Sequence, residues 1–168
     1  MPPTIRPEAA ADIPAIAALT RDAFADQPYS SHTEHFIIAA LRDSGALSIS
    51  LVAEQDGMVV GHIAFSPVRI SDGASGWFGL GPIAVAPAQQ RQGIGNALMQ
   101  QGLTALRALP ASGCVVLGDP VFYRKFGFAN HPALVLADVP PAYLMALCFD
   151  GTLPSGQVRY HPAFNATR

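Results

Sequence analysis

Apolar positions along this chain follow two periods, and the change between them sets out the elements. Ile13, Ile16, Ala17, Leu19, Ala23 and Phe24 recur at helical spacing behind an Asp12 in N-cap position and a Pro14 in the first turn. They predict a helix ending near Asp26, preceded by a short strand over Thr4–Arg6 that Pro7 stops. After the loop D-Q-P-Y-S-S, Ser31 with Glu34 three residues on is a capping-box signature for a second helix. Phe36, Ile37, Ala40 and Leu41 are its apolar side, and Gly45 is its stop.

From Leu47 the pattern turns to strands. L-S-I-S-L-V-A-E-Q and M-V-V-G-H-I-A-F-S-P-V-R-I flank Asp56-Gly57, the residue pair of a tight hairpin. A turn at Asp72-Gly73 leads into W-F-G-L-G-P-I-A-V, which completes an antiparallel meander. Pro82 inside that run cannot donate to a ladder and signals a bulge, where a strand splays from its neighbour. A helix then opens around Gly93, buries Ile94, Ala97, Leu98 and Ala105, and ends before Pro110. Gly113–Leu117 is a buried strand parallel to the one before, because a helical crossover separates them. Gly118-Asp119-Pro120 turns into a short helix, V-F-Y-R-K-F, closed by Gly127. L-V-L-A-D and Q-V-R-Y are read as the late strands, separated by a connection rich in proline through Pro140, Pro141 and Pro154.

Composition narrows the class. Half of the residues are hydrophobic and 13% are charged over 168 positions, which fits one folded domain spanning 1–168 and argues against disorder. A formal charge of -2 gives no basic field for nucleic acid. No apolar run reaches the roughly 18 residues of a membrane span, and M-P-P-T-I-R-P-E has no secretory pattern, so a cytoplasmic protein without a membrane partner is expected. Cys114 and Cys148 are too few and too far apart for a metal knuckle, and the histidines are scattered apart from His32 and His35. Both cysteines read as buried thiols, and no metal is expected.

The chemistry concentrates between Leu80 and Leu106. An apolar strand ends near Val85, and Pro87 marks a turn into a glycine-bearing loop with Arg91 ahead of a helix. A helix start leaves its first N–H groups unpartnered and carries partial positive charge, so it holds phosphate. Gly93 and Gly95 allow the backbone to approach closely, and Arg91 adds a cation. A nucleotide P-loop would need a lysine after Gly95, and a dinucleotide fingerprint a third glycine with a distant acid; Asn96, Ala97 and Leu98 follow instead.

Gln90-Arg91-Gln92-Gly93-Ile94-Gly95 resembles the acyl-coenzyme A loop of the GNAT N-acetyltransferase superfamily, whose pattern is [Q/R]-x-x-G-x-[G/A] between a strand and a helix. L-G-D-P-V-F-Y-R-K-F-G-F, from Leu117 to Phe128, is similar to a second GNAT segment, with Tyr123, Gly127 and Phe128 in its Y-x-x-x-G-F spacing. The resemblance implies the GNAT acyl-CoA N-acyltransferase fold, a mixed sheet splayed between its fourth and fifth strands and flanked by helices. It implies acetyl-CoA as co-substrate, with pantetheine along Ile83, Ala84 and Val85 and the pyrophosphate on Gln90, Arg91, Gln92, Gly93, Ile94, Gly95 and Asn96. Tyr123 is then the general acid facing the coenzyme sulfur, and Asp119, Phe122 and Phe126 flank the coenzyme.

Many GNAT relatives carry a glutamate six residues before the position of Val85, where this chain has Gly79. Glu34, Glu54, His32 and His62 are the substitute bases the sequence offers. Phe24, Tyr29, His32, His35 and Trp77 are aromatic candidates for the acceptor pocket, and the acceptor amine stays unidentified. The expected activity is acetyl transfer to a primary amine by direct attack in a ternary complex. The competing reading is a non-catalytic acyl-CoA-binding or regulatory module; a nucleotide-binding protein using the same loop ranks lower. Late strands of this fold offer an edge to a second copy, so a homodimer is also expected.

Overall fold

The computed structural model describes residues 2–168. In chain order the elements are β1 (Thr4–Pro7), α1 (Ile13–Phe24), α2 (Glu34–Asp43), β2 (Ile49–Gln55), β3 (Met58–Pro67), β4 (Arg69–Ile70), β5 (Trp77–Val85), α3 (Ile94–Ala108), β6 (Gly113–Leu117), α4 (Pro120–Arg124), β7 (Leu134–Val135), β8 (Leu144–Cys148) and β9 (Gly156–Arg159). Six strands form a mixed sheet in the order β1-β2-β3-β5-β6-β8, and β4-β9-β7 form a small second sheet. The expected mixed α/β architecture is present. Its splayed pair is β5 and β6, because the two-residue β4 takes a number of its own.

Local chemistry explains most of these elements. Asp56 and Gly57 both take positive φ, 53° and 78°, the geometry of a two-residue turn whose twist matches its strands. Gly45 ends α2 at a φ of 76°. The capping box expected from Ser31 does not form. Thr33 precedes α2 without a side-chain cap, the Ser31 hydroxyl meets Thr33 Oγ1 at 2.6 Å, and Ser30 donates to Glu34 instead. Asp12 stands before α1, but its carboxylate accepts the Ala9 N–H at 2.7 Å and clasps Arg6. That clasp holds the Asp12 carboxyl down at about 2.

The late strands are a correction. Leu134–Val135 and Gly156–Arg159 belong to the small sheet, whereas the segment read as connection contains β8, the outer partner of β6 in the main sheet. β8 is L-M-A-L-C, five apolar residues with no alternation. A strand buried on both faces loses the period that would reveal it.

Two layers cover the sheet. Leu51, Ala53, Ile63, Phe65 and Leu80 face α3, and a Cβ on Gly102 of α3 would lie 2.7 Å from the Phe65 ring. Glycine there lets the helix sit directly on the sheet. On the other face Val52 packs with Ile16 of α1 and Ile38 of α2. His62 is also on that face, fully buried, with Nε2 2.7 Å from Ser50 Oγ. Ser50 also hydrogen-bonds Glu8, which grips the Arg42 guanidinium with two bonds of 2.9 Å.

Burial pushes His62 down to about 4, only partly opposed by the charge of Glu8. Its unfolded value is near 6.5, so the unfolded chain binds the extra proton first. The stability from a neutral His62 is therefore complete above about pH 6.5 and is lost as the pH falls from there through about 4. Urea midpoints should decline over that window, by up to about 3 kcal/mol in free energy. His62→Gln, which keeps a hydrogen-bonding head and does not titrate, should flatten the decline; an unchanged slope in the variant would contradict this account.

Candidate active site

β5 pairs with β6 only from Trp77↔Gly113 to Leu80↔Val116. Beyond Leu80 the β3–β5 register slips, with Ile63 opposite Ile83 but Phe65 opposite Leu80, so Gly81 and Pro82 form the bulge that Pro82 foretold. Past the bulge, Ala84 faces His62 and the Ala86 N–H donates to the Val60 carbonyl at 2.8 Å. Backbone groups alternate sides along a strand, so those of Ile83 and Val85 point away from β3 into the gap. Ala84, expected alongside them on the pantetheine edge, instead turns its own backbone groups to β3. The Gln90 side chain donates to the Val85 carbonyl at 3.1 Å and ties the following loop to the strand end.

That loop delivers a set of free donors. Arg91 and Gly93 both take left-handed φ, 66° and 86°, and α3 starts immediately after. The Ala97 N–H bonds the Gly93 carbonyl at 3.1 Å, which leaves the N–H groups of Ile94, Gly95 and Asn96 without a helical acceptor. No side chain caps them. A Cβ on Gly95 would sit 4.0 Å from both Val85 and Phe122, an ordinary contact. The fold itself therefore tolerates a side chain at Gly95, and the bare backbone keeps the cleft between those two walls open.

A cavity of about 750 Å³ joins the open strand edge to this cradle. Ile83, Ala84, Val85, Gln90, Arg91, Gly93, Ile94, Gly95, Asn96, Asp119, Phe122 and Tyr123 all line it. Gln92 and Phe126 do not; Gln92 is exposed, and the Phe126 ring backs Phe122 at 5.3 Å. Gln27, Gln89 and Lys125 join the lining without having been anticipated. Lys125, whose Nζ lies 4.8 Å over the Phe122 ring, was legible in principle as the cation next to the Y-x-x-x-G-F segment. The Asp119 carboxylate accepts the Val121 N–H at 3.0 Å and starts α4.

Tyr123 is held at the inner end. Its ring meets Phe122 edge-on at 5.0 Å and Phe128 at 6.0 Å, and it is 8% exposed. Burial, with smaller effects from Cys114 and Asp119, pushes its phenol up to about 12. At neutral pH it can therefore donate a proton but not accept one. Burial likewise raises the Cys114 thiol, which leaves it protonated and unreactive.

The substitute bases lie elsewhere. Glu54 is bound to Arg6 at 2.8 Å, Glu34 accepts from Ser30, His32 is exposed and His62 is buried in the Ser50–Glu8 network. None of them lines the cavity. A side chain at Gly79 would crowd its neighbours, since a Cβ there would meet Val68 at 3.0 Å and the Tyr160 ring at 3.4 Å. Among the aromatic acceptor candidates, Trp77 is core, 2% exposed and stacked over Gly113. Tyr29 is fully exposed, and His35 rests on Phe36 at 4.0 Å. No group of three or more His, Cys, Asp or Glu side chains among the described residues is placed to hold a metal, and none of the described helices is long and apolar enough to cross a membrane.

Residues 46–130 match the family model described as acetyltransferase (GNAT) domain. Over 168 residues the chain is 36% identical to the uncharacterized N-acetyltransferase YhbS of Escherichia coli K12, covering 96% of this chain and 98% of that protein. A GNAT family acetyltransferase from Brucella melitensis, solved in complex with acetyl-CoA, is 46% identical and superposes with a TM-score of 0.87 over 97% of this chain and 98% of that one. Escherichia coli YhbS in complex with CoA gives 32% identity and a TM-score of 0.87 over 98% and 93% of the two chains.

Tyr123 owes its position to a glycine. A Cβ on Gly118 would come within 2.5 Å of Tyr123 Cε2, so only a bare backbone admits the ring. Gly118→Ala should cost about 1–3 kcal/mol in urea denaturation, the usual range for overpacking. Ultraviolet titration should also show the Tyr123 phenol ionising below about 12, because the displaced ring is wetter. Unchanged stability together with an unchanged titration would overturn this account of the ring's placement.

Proposed function

We propose, starting from the fact that this chain belongs to the GNAT acetyltransferase family, that it binds acetyl-CoA in the β5–β6 cleft and transfers the acetyl group to a primary amine by direct attack in a ternary complex. The observation that carries this reading is the pair of outward-facing backbone sites at Ile83 and Val85, opening on a cavity whose mouth is the donor cradle of Ile94, Gly95 and Asn96. An extended amide chain with a diphosphate tail answers both: the chain pairs like an added strand, and the tail takes the free N–H groups with Arg91 beside them. Relatives solved with acetyl-CoA and CoA share the fold over nearly the whole chain.

The thioester then lies at the bulge, where the sheet closes. A backbone N–H there polarises the acetyl carbonyl and holds the oxyanion as the nitrogen adds. The N–C bond forms and the C–S bond breaks. Tyr123, protonated up to about pH 12, donates to the departing sulfur. An ordinary thiol ionises near 8.5, so the phenol is the weaker acid by about three units. Tyr123 therefore stabilises the thiolate chiefly by hydrogen bonding, and water completes the proton transfer. The amine loses its proton to water as well: the one carboxylate lining this cavity among the described residues, Asp119, is engaged by the Val121 N–H at the start of α4.

The empty position at Gly79 favours one second reading, a module of the same fold that binds acyl-CoA without turnover. Two variants and one assay separate them. Gly95→Val should abolish the calorimetric response to acetyl-CoA while leaving the thermal midpoint within a degree or two, since its Cβ makes only ordinary contacts with the protein. Tyr123→Phe should keep the acetyl-CoA affinity and lower kcat on the order of 10²-fold in free-thiol release. Wild-type protein that binds acetyl-CoA yet releases no thiol with any amine supports the binding module, and wild-type protein that gives no heat with acetyl-CoA refutes both.

A further inference from the structure

A second cavity of about 660 Å³ is walled by the turn after α2, from Ser44 to Ala46, by Pro67 and Arg69, and by the C-terminal run Arg159 to Pro162. Its charge is one-sided. Arg69 and Arg159 are direct partners in the β4–β9 ladder, one step from the buried pair Ile70 and Val158. Strand alternation therefore places both guanidinium groups together on the face turned away from the core. Like charges directly opposite each other weaken a ladder. Yet neither arginine has an ion pair or a side-chain hydrogen bond among the described residues, and the cavity lining contains no carboxylate. His161 accepts the Ala163 N–H on Nδ1 at 3.0 Å, which leaves Nε2 as the protonated nitrogen of the neutral ring and a further donor.

Tyr160 links this cavity to β5. It lines the second cavity, and its ring fills the space in front of Gly79, in the strand segment that closes the cleft. Its hydroxyl is buried and has no hydrogen-bond partner among the described residues. A buried hydroxyl without a partner costs stability until something occupies it. Gly79 stands one residue before Leu80, where β5 and β6 last pair, so the Tyr160 ring sits beside the closed end of the cleft.

Building on the acetyl-transfer reading above, we infer that this second cavity is the acceptor site and that Arg69 and Arg159 select a small amine carrying a carboxylate or phosphate. The anion relieves the repulsion between the two guanidinium groups by taking their forked donors, and the amine end reaches past Tyr160 to the acetyl carbon. The volume lies within the roughly 300–1,000 Å³ of small-molecule sites.

Calorimetry and acetyl transfer with matched amine pairs test this: amino acids against their amides, and O-phosphoethanolamine against ethanolamine, titrated into the protein with and without acetyl-CoA. In at least one pair the anionic member should bind about 10-fold tighter or more and show a correspondingly lower KM, and comparing the pairs distinguishes carboxylate from phosphate. Arg69→Gln and Arg159→Gln should each raise that KM about 10-fold, with kcat within twofold, acetyl-CoA affinity unchanged and the thermal midpoint unchanged or raised as the repulsion is removed. Equal binding of anionic and neutral members, indifference to both arginine variants, or no binding of any amine would overturn the inference. Acetyl-CoA binding accompanied by any of these results leaves the coenzyme reading standing, whereas absence of acetyl-CoA binding defeats that reading, and the charge preference is then still read from the coenzyme-free titrations.

Discussion

The site depends on two parallel strands that stop pairing after four residues. Leu80↔Val116 is the last rung between β5 and β6, and the Gly81–Pro82 bulge changes the register against β3 just there. Buried backbone donors and acceptors are almost always paired, because leaving one unpaired costs most of a hydrogen bond. The open edge at Ile83 and Val85, where only the Val85 carbonyl is taken by Gln90, leaves backbone groups that an extended partner with its own amides can pair. A strand supplied by the chain would silence the site; in the proposed reading a ligand satisfies the same groups and brings a reactive end with it.

The surrounding packing keeps the strands apart. β6 is held from its far side by β8 along its whole length, from Gly113↔Cys148 to Leu117↔Leu144, and cannot swing back to close the gap. β5 is anchored by β3, and β3 lies under α3 where Gly102 brings the helix onto Phe65. That same helix begins at the cradle, so the packing that fixes the sheet also aims the free N–H groups of Ile94, Gly95 and Asn96 along the cleft. The other face of the sheet has a different task. There the His62–Ser50–Glu8–Arg42 network buries polar groups away from the cleft, and near the parting of the strands Tyr160 occupies the space that a side chain at Gly79 would need.

Features written in adjacent residues were legible in the sequence. Asp56-Gly57 dictates its hairpin through backbone conformation, Pro82 marks the bulge by lacking an N–H, and Gly93 ends its loop in a left-handed turn. Most of the cleft lining follows from the strand–loop–helix stretch and the Tyr123 segment, since each is a local unit. What escaped was set by distant partners. β8 has no alternation because both of its faces are covered, and β4 is only two residues long. Ser31 lost its capping role to competition among Ser30, Thr33 and Glu34 within a single turn. Tyr160 and the Arg69–Arg159 pair acquire meaning only when β9 folds back beside β4, and no local pattern predicts that pairing.

Amide hydrogen exchange with and without acetyl-CoA tests the central claim most directly, because it reads the individual N–H groups on which the account rests. The account predicts that acetyl-CoA slows exchange at Ile83 or Val85 on the strand edge and at Ile94, Gly95 and Asn96 in the cradle, while Ala84 and Ala86, already bonded to β3, change little. Protection confined to other parts of the chain, or amides at Ile83 and Val85 already as slow as those of Ala84 in the free protein, would contradict it.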